Sequence, residues 1–415
     1  MKSRVFLSLF LSAWLFYSQQ LLAQRGVYIA PEARSVEIPF EYRNNFIILH
    51  LLVNGQLPLS FILDTGAGHT ILTKKEVAQL LRLTYERSFQ VMGSDLTRPL
   101  SAHLARGIRL DFPGLATAPQ EDLLVLEEDF FQFEAFTGIP IHGILTANLF
   151  SRYLFKINYD KRTITLYNRQ YVSEKTLKGY EVQPIELYRD KPYLYTILGL
   201  PTKDSLPIKL LLDTGAGLPL LLFSNTHPRL QPPPQAIPSG IGIGLGGDLQ
   251  GFMGRTPSLK LGAYTQHQLI TAYQSLDSTA EWVGTNNRNG LVGNELLSRF
   301  TLIFDYYNEK IYLRPAKRFR TAYRFDRSGI TVFASIGDGN KNNYFVQQVL
   351  PNSPAQKAGI QKGDQLLKIN WIPAHLWSLS GINRRLQSTK RPTVHIRLRR
   401  ADERINVRLT LEDLL

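Results

Sequence analysis

The chain has 415 residues, of which 44% are apolar and 20% are charged, and it contains no cysteine. These proportions are typical of a globular protein with ordinary hydrophobic cores, and the length favours two to four domains. The lack of cysteine excludes disulfides, thiolate nucleophiles and cysteine-ligated zinc. The net charge is +14, and residues 317–415 contribute +11 of it, from 18 basic and 7 acidic residues.

The first residues have the layout of a secretory signal peptide. Two basic residues among the first four precede an apolar run over residues 5–17, and a cleavage position follows at Ala23. The run is shorter than the about 20 residues that a transmembrane helix needs. We therefore expect a signal peptide over residues 1–23 and export to the periplasm or cell envelope. An uncleaved N-terminal anchor is the alternative, because Leu21 rather than an alanine stands three residues before the cut.

The basic residues of the C-terminal part allow two interpretations. A positively charged domain attracts anionic surfaces or acidic peptides. The alternation Val-His-Ile-Arg-Leu at residues 394–398 is instead typical of a half-buried strand with solvated basic side chains, and we prefer this interpretation. Nucleic acid is not an expected partner of an exported protein.

Short strands dominate the chain after a loose lead-in that ends at residue 34. Strand-like patterns cover residues 35–40, 46–53 and 57–63. Thr73, with Glu76 three residues later, predicts a capping box at the start of a short helix over residues 74–83.

One pattern occurs twice and organises the rest. Residues 61–68 read Phe-Ile-Leu-Asp-Thr-Gly-Ala-Gly, and residues 210–217 read Leu-Leu-Leu-Asp-Thr-Gly-Ala-Gly. The apolar triplet predicts a buried strand, and the small residues after the aspartate permit a tight turn. A carboxylate at the end of a buried strand is costly unless another group stabilises it. We therefore expect the chain to fold so that Asp64 and Asp213 meet and share a proton.

A second pair of patterns extends the repeat over a whole lobe. Gly143 begins Gly-Ile-Leu-Thr-Ala-Asn-Leu, and Gly290 begins Gly-Leu-Val-Gly-Asn-Glu-Leu. These glycines lie 79 and 77 residues after the respective aspartates, so the repeat period is 149 or 147 residues. A duplicated lobe of about 140 residues is within the usual size range of domains. The glycine-rich run at residues 240–254 is either a mobile functional loop or a plain surface loop.

Two carboxylates held close together supply both an acid and a base. They cannot both ionise, so one keeps its proton, and the pair deprotonates water while it protonates a carbonyl oxygen. Around them, threonines can hydrogen-bond across the symmetry axis, and glycines let backbone approach without collision. The supporting positions are Thr65, Gly66, Ala67, Thr214, Gly215 and Ala216.

The two alanines make a prediction about pH. An alanine side chain donates no hydrogen bond to the carboxylate beside it, so the pair keeps a higher apparent pKa than it would with a serine there. We therefore expect activity nearer neutral than strongly acidic pH. A pH–rate profile with its optimum below about 3 would contradict this expectation.

The two Asp-Thr-Gly-Ala turns and their partner loops resemble the retropepsin-type aspartic proteases. In that family the catalytic turn packs under a psi-shaped loop; residues 291–293 match its apolar-apolar-Gly pattern, whereas Thr146 replaces the glycine in the first copy. The resemblance covers residues 35–315 and implies catalytic roles for Asp64 and Asp213, a flap over the bound peptide, and no cofactor or metal. Viral members complete the site by dimerising, but this chain carries both turns, as bilobal pepsin-like enzymes do, so no obligate dimer is expected.

The C-terminal part is similar to bacterial PDZ domains. Residues 353–360 read Ser-Pro-Ala-Gln-Lys-Ala-Gly-Ile, a capped helix, and residues 363–370 add a Gly-Asp turn and a strand. The resemblance implies that a peptide adds as a strand beside residues 329–333, whose loop holds a terminal carboxylate. The implied peptide-binding residues are Gly329, Ile330, Thr331 and Val332.

The expected fold is therefore mainly β: two acid-protease (retropepsin-like) β-barrel lobes related by a pseudo-twofold axis, followed by a PDZ domain. The expected bounds are residues 35–172 and 178–316 for the lobes and 320–413 for the PDZ domain. This layout resembles the exported aspartyl proteases with an appended PDZ domain that occur in Bacteroidota.

Other enzyme classes find no support in the sequence. The histidines lack zinc-ligand spacing, there is no Gly-x-Ser-x-Gly elbow, and the run at residues 240–247 lacks the Gly-Lys-Ser/Thr of a phosphate loop. The sequence predicts an aspartic endopeptidase that hydrolyses exported or envelope proteins, with a peptide or protein substrate and a PDZ peptide ligand as partners. The alternative is a non-catalytic peptide-binding scaffold of the cell envelope.

Overall fold

The computed structural model describes residues 26–92, 99–114, 116–129, 131–244, 247–276, 286–337 and 342–415. The predicted signal peptide, residues 1–23, lies outside these ranges. Within them, no helix is both long enough and apolar enough to cross a membrane.

The first lobe consists of short strands and two short α-helices. Its strands are β1 (Ser35–Pro39), β2 (Glu41–Arg43), β3 (Phe46–Val53), β4 (Leu57–Asp64), β5 (Thr70–Leu72), β6 (Arg87–Met92), β7 (Pro99–Phe112), β8 (Ala116–Leu126), β9 (Gly143–Thr146), β10 (Leu154–Asn158) and β11 (Thr163–Tyr167). Its helices are α1 (Lys75–Leu80) and α2 (Phe133–Thr137), with a 3₁₀ turn at Ala147–Phe150. A 3₁₀ turn (Arg169–Tyr171) and helix α3 (Glu174–Leu177) lead to the second lobe.

The second lobe repeats this composition. Its strands are β12 (Glu181–Pro184), β13 (Glu186–Tyr188), β14 (Lys191–Gly199), β15 (Ser205–Asp213), β16 (Leu220–Phe223), β17 (Ile237–Gly244), β18 (Gly247–Leu261), β19 (Tyr264–Gln274), β20 (Gly290–Gly293), β21 (Phe300–Asp305) and β22 (Lys310–Pro315), with helix α4 (Asn294–Leu297) after β20.

The C-terminal domain follows. It contains β23 (Ile330–Ile336), β24 (Asn342–Val349), α5 (Pro354–Lys357), β25 (Gln365–Ile369), β26 (Ile372–Pro373), a 3₁₀ turn (Ala374–Leu376), α6 (Leu379–Leu386), β27 (Thr393–Arg400) and β28 (Glu403–Thr410). The main strand order of its sheet is β23-β24-β25-β27-β28, which leaves one edge of β23 without a neighbouring strand among the described residues.

Each of the two lobes is a closed β-barrel with the same topology. The first has the strand order β2-β3-β4-β9-β5-β8-β7-β6 and is closed by pairing of β3 with β7. The second has the order β13-β14-β15-β20-β16-β19-β18-β17 and is closed by pairing of β14 with β18. The two orders correspond strand for strand, so the predicted mainly β architecture with two related lobes is confirmed.

A third sheet joins the lobes. Its order is β1-β11-β10-β21-β22-β12, so that each lobe supplies one half. β10 and β21 pair in antiparallel register at the centre, where Phe155 lies opposite Phe304 and their buried rings stack with centroids 4.9 Å apart. One continuous hydrophobic core spans both lobes, whereas the C-terminal domain has a core of its own.

Two local expectations differ from the structure. The first helix has Lys74 rather than Thr73 as its N-cap residue, and no side chain caps it. Thr73 is buried, and its hydroxyl donates to the carbonyl of His142 at 3.2 Å, so a tertiary contact replaces the predicted capping box. The lead-in is also not loose: Val27 is fully buried, and its N–H donates to the carbonyl of Leu149 at 2.9 Å.

Candidate active site between the two lobes

Asp64 and Asp213 are each the last residue of a buried strand, and each of these strands pairs with a parallel neighbouring strand. β4 pairs with β9, which places Asp64 beside Thr146, and β15 pairs with β20, which places Asp213 beside Gly293. The three residues before each aspartate are apolar and buried. The two copies therefore hold their turns in the same register.

Thr65 and Thr214 connect the two turns across the axis. The N–H of Thr65 donates to Oγ1 of Thr214 at 3.1 Å, and the N–H of Thr214 donates to Oγ1 of Thr65 at 3.0 Å. Each hydroxyl then donates to the opposite strand: Thr65 to the carbonyl of Leu212 at 2.6 Å, and Thr214 to the carbonyl of Leu63 at 2.8 Å. Because both threonines are buried, these four bonds fix the turns relative to each other.

The two carboxylates face each other at this junction. In each turn, Oδ1 of the aspartate accepts from the N–H groups of the following glycine and alanine, at 2.6 and 3.0 Å for Asp64 and at 2.8 and 3.1 Å for Asp213. A Cβ on Gly66 would lie 3.0 Å from Oδ2 of Asp213, and a Cβ on Gly215 would lie still closer to Oδ2 of Asp64. Each carboxylate therefore lies directly against the glycine of the opposite turn.

Burial raises the pKa of both aspartates. Burial raises the pKa of Asp64 well above its usual range, and the charge of Asp213 raises it further. Burial also raises the pKa of Asp213, whereas the guanidinium of Arg288 and the hydrogen bond from Asp64 oppose that rise. Since such a pair titrates as a unit, it retains one proton where separate exposed aspartates are ionised.

Two cationic side chains of the second lobe flank the pair. Lys191, the first residue of β14, has its Cε 3.8 Å from the position of a Cβ on Gly68 in the first turn, and its charge interacts with both carboxylates. The Nε of Arg288 is buried and has no hydrogen-bond partner in the described structure, while its Cζ lies 5.4 Å from the ring centroid of Phe223. Burial lowers the pKa of both cations.

Sequence patterns did not identify these cations. Arg288 lies two residues before Gly290, where the strand beside Asp213 begins, so its proximity to the site follows once that parallel pairing is assumed. Lys191 begins β14, whose Tyr193 lies opposite Leu211 on β15, two residues before Asp213. The proximity of Lys191 to the second turn therefore follows from this antiparallel pairing, and its proximity to Gly68 of the first turn follows from the packing of the two lobes.

The predicted peptide-binding residues of the C-terminal domain lie apart from the aspartates. Thr331 and Val332 lie on β23, the first exposed and the second buried in the core of that domain. The N–H groups of Gly329 and Ile330 donate to Oδ1 of Asp326, at 2.6 and 3.2 Å. Asp326, which no sequence pattern marked, has its pKa raised to about 6 by burial, against the lowering effect of these hydrogen bonds.

Two hairpins contain the glycine-rich run and its counterpart in the first lobe. β6 with β7 and β17 with β18 occupy the same terminal positions in the two barrel sheets. The residues that connect the strands of each hairpin, 93–98 and 245–246, lie outside the described residues. The glycine-rich run was expected to be a loop, but its described residues belong to β17 and β18, because the backbone of these strands pairs in an antiparallel ladder. Its role stays a prediction.

Two family models match the chain. Residues 49–149 match a model described as "Aspartyl protease", and residues 345–400 match one described as "PDZ domain". The chain carries an aspartyl protease domain and a PDZ domain. The match to the aspartyl protease model includes Asp64 and the loop with Thr146, whereas Asp213 lies in the second lobe, outside the matched residues.

Solved structures with related folds include two plant and fungal proteins. Basic 7S globulin from soybean is 8% identical, with a TM-score of 0.42 over 70% of this chain and 97% of that chain. The aspartic proteinase from Irpex lacteus is 14% identical, with a TM-score of 0.44 over 69% of this chain and 99% of that chain. At TM-scores this low, neither structure carries functional information on the aspartyl protease domain described above. No curated protein matches the chain at a significant level.

Proposed function

We propose that this chain is an aspartic endopeptidase in which Asp64 and Asp213 activate a water molecule for attack on a peptide bond. The observation that carries the proposal is the pair of opposed carboxylates. Each lies against the glycine of the other turn, and each is oriented by two N–H groups of its own turn. The assignment of an aspartyl protease domain and a PDZ domain supports a protease-type function.

The proposed mechanism uses the two protonation states of the pair. With the proton on Asp64 and the charge on Asp213, a water between them loses a proton to Asp213 as its oxygen attacks the carbonyl carbon. Asp64 donates its proton to the carbonyl oxygen, which gives a neutral tetrahedral diol. When the diol collapses, Asp213 protonates the leaving nitrogen and Asp64 recovers a proton from a hydroxyl group, so the starting state is restored. These are general acid and general base steps within one site.

The electrostatics of the site define the expected pH range. Below the lower apparent pKa both carboxyls are protonated and no base remains; above the higher one, both are ionised and no acid remains. Burial raises the pKa of both aspartates, and the charge of Asp213 raises that of Asp64 further. The alanines at positions 67 and 216 offer no side-chain donor that would lower these pKa values. We therefore expect a bell-shaped profile centred at mildly acidic to neutral pH.

Peptide cleavage by matched variants tests the proposal. A proteome-derived peptide library is digested with the wild-type chain, with Asp64→Asn, with Asp213→Asn, and with Asp204→Asn as a control. Asp204 is an exposed residue that pairs with Arg229 on the surface. Each of the first two variants is expected to lose at least about 10³-fold in kcat/KM, because the two carboxyls act as a unit, whereas the control keeps wild-type activity.

Two results would contradict this function. Cleavage by Asp64→Asn and Asp213→Asn at the wild-type rate would remove the pair from the mechanism. A wild-type chain that binds library peptides but cleaves none would favour the alternative, a non-catalytic peptide-binding scaffold. Thermal unfolding of all four proteins separates loss of catalysis from loss of folding.

We also propose that the protein is exported to the periplasm or cell envelope and acts there on exported proteins. Support comes from the basic and apolar pattern over residues 1–23. Mass spectrometry of the N-terminus of the protein isolated from the envelope fraction tests this proposal, with a mature chain beginning at Gln24 as the expected result. A chain that retains Met1 and stays in the membrane fraction would identify an uncleaved anchor.

A further inference from the structure

The peptide groove of the PDZ domain is the surface between β23 and α6. β23 is the edge strand of the sheet, and α6 packs against it. The loop before β23 contacts the C-terminal end of α6, because the N–H of Arg327 donates a hydrogen bond to the carbonyl of Leu386 at 3.2 Å. A peptide that adds to the free edge of β23 would lie along this groove.

The chain itself occupies the end of the groove that is far from this loop. Residues 133–138 of the first lobe, here called the docking segment, contain α2 and the glycine that ends it. The ring of Phe136 contacts that of Phe333 edge to face, with centroids 4.4 Å apart. Gly138 lies between the two walls: a Cβ on it would be 3.8 Å from Cβ of Ala334 on β23 and 3.9 Å from Cβ of Leu379 on α6.

Polar contacts hold the docking segment in this position. Nδ2 of Asn342 donates to the carbonyl of Gly138 at 3.1 Å. On the other side, the amide of Asn44 donates to the carbonyl of Phe136 and also accepts a hydrogen bond from the hydroxyl of Ser380 on α6. Gly138 has a φ of +72°, a left-handed conformation that a glycine adopts without strain. The segment is therefore bonded both to its own lobe and to the PDZ domain.

The loop end of the groove is also filled by a group of this chain. Oδ1 of Asp326 accepts from the N–H groups of Ser328, Gly329 and Ile330 at 2.9, 2.6 and 3.2 Å. These are donors of the loop that precedes β23, where a terminal carboxylate of a peptide would need N–H groups. With the side-chain carboxylate of Asp326 in place, these donors are already used.

We propose that the PDZ groove binds an internal, aromatic-anchored peptide segment rather than a terminal carboxylate, and that residues 133–138 are its resident ligand. An outside partner is then a peptide or an exposed protein segment that places an aromatic ring on Phe333 in the position of Phe136. Such a partner binds by displacing the docking segment. Its apparent affinity equals its intrinsic affinity for the groove multiplied by the fraction of time that the docking segment leaves the groove open.

The probe is an 11-residue peptide with the sequence of residues 131–141, acetylated and amidated at its ends and labelled with fluorescein. Binding is measured by fluorescence anisotropy with the full chain carrying Asp64→Asn, so that the result is independent of peptide cleavage. In this background, Phe136→Ala weakens the resident segment and leaves the groove intact. We expect the probe to bind that variant about tenfold more tightly, because a groove open one-tenth of the time has a tenfold weaker apparent affinity.

Three controls sharpen this experiment. Tyr307→Ala, which removes an aromatic ring on the second lobe that is 81% exposed, should leave the affinity for the probe unchanged. Phe333→Ala, which removes the ring on the groove wall, should abolish binding. A probe with a free carboxylate at its C-terminus should bind no more tightly than the amidated one.

Each contrary result overturns the proposal. Equal affinity of the probe for the Phe136→Ala and Tyr307→Ala chains would show that the docking segment does not compete for the groove. Absence of binding to both would show that the groove does not recognise this segment. Tighter binding of the probe with a free C-terminal carboxylate than of the amidated probe would show that the loop before β23 binds the terminal carboxylate of a peptide. If Phe136→Ala does not fold, Asn342→Ala, which removes the hydrogen bond to the carbonyl of Gly138, takes its place in the comparison with Tyr307→Ala, with the same expected and contrary results.

Discussion

The two lobes share a strand order but support their aspartate turns in different ways. In the second lobe, a Cβ on Gly293 would collide with the backbone oxygen of Leu218. The backbone at Gly293 therefore packs directly against the backbone of the turn that follows Asp213. In the first lobe, Thr146 occupies the equivalent position, and its hydroxyl donates to the carbonyl of Ala67 at 2.8 Å. The same turn geometry is thus reached by close packing in one copy and by a side-chain hydrogen bond in the other.

The surroundings of the two carboxylates are less symmetric than their backbones. Lys191 and Arg288 both come from the second lobe, whereas the docking segment that contacts the PDZ domain belongs to the first lobe. With the repeat period of 147 residues, the region equivalent to the docking segment is residues 280–285, which lie outside the described residues. The two turns therefore share a backbone frame, while the cations Lys191 and Arg288 beside them come from the second lobe.

After replacement of the aspartates themselves, the largest effect is expected from filling the space between the two turns. Gly215→Ala places a methyl group against Asp64, and Gly66→Ala places one 3.0 Å from Asp213. Both should lower kcat/KM, Gly215→Ala by at least about 100-fold, because misplacing a catalytic group by about 1 Å costs that much. Gly66→Ala should be milder, since its methyl group has more room. The reverse order of the two activities would contradict the geometry described here.

A stability difference should follow from the two supports of the turns. Gly293→Ala forces backbone apart in the second lobe and is expected to lower the free energy of unfolding by about 3 kcal/mol. Thr146→Ala removes two hydrogen bonds in the first lobe, the one to the carbonyl of Ala67 and the one from the N–H of Asn148, and should cost about 1–2 kcal/mol. Urea denaturation measures both. Equal losses of unfolding free energy in Gly293→Ala and Thr146→Ala would contradict the inference that close backbone packing supports the second turn and side-chain hydrogen bonds support the first.

The threonine pair should behave as one unit that both lobes share. Thr65→Val and Thr214→Val each leave a buried N–H and a buried carbonyl without a partner, which should cost about 1–3 kcal/mol in the free energy of unfolding. Because the four bonds are reciprocal, the double variant should lose less than the sum of the single losses. Additive losses in a double-mutant cycle would exclude this coupling.

The smallest effect is a shift of the pH profile. The guanidinium of Arg288 opposes the rise of the Asp213 pKa, so Arg288→Met should raise that pKa. The acid limb of kcat/KM should then move to higher pH, by about one unit for the loss of a nearby opposite charge. Arg229→Met, which changes an arginine on the surface that pairs with Asp204, serves as the control. A shift of the acid limb to lower pH would have the wrong sign.

Local patterns predicted much of the fold and only part of the site. The duplicated turns, the strands before them and the two-lobed architecture follow from residue patterns within single segments. The cap assigned to Thr73 was wrong, because burial and a hydrogen bond to His142 outweigh its local capping propensity. Asp326 was missed, because its role depends on N–H groups that only the folded loop brings to its carboxylate.

The amino-acid sequence by itself determined the repeated strand-and-turn units, since apolar periodicity and small turn residues act over a few positions. The tertiary structure alone decided which groups meet. Thr65 and Thr214 are 149 positions apart, and Phe136 meets Phe333 through the docking of separate domains. Such contacts depend on barrel closure and domain packing, where many weak interactions add up, and no short pattern in the chain encodes their outcome.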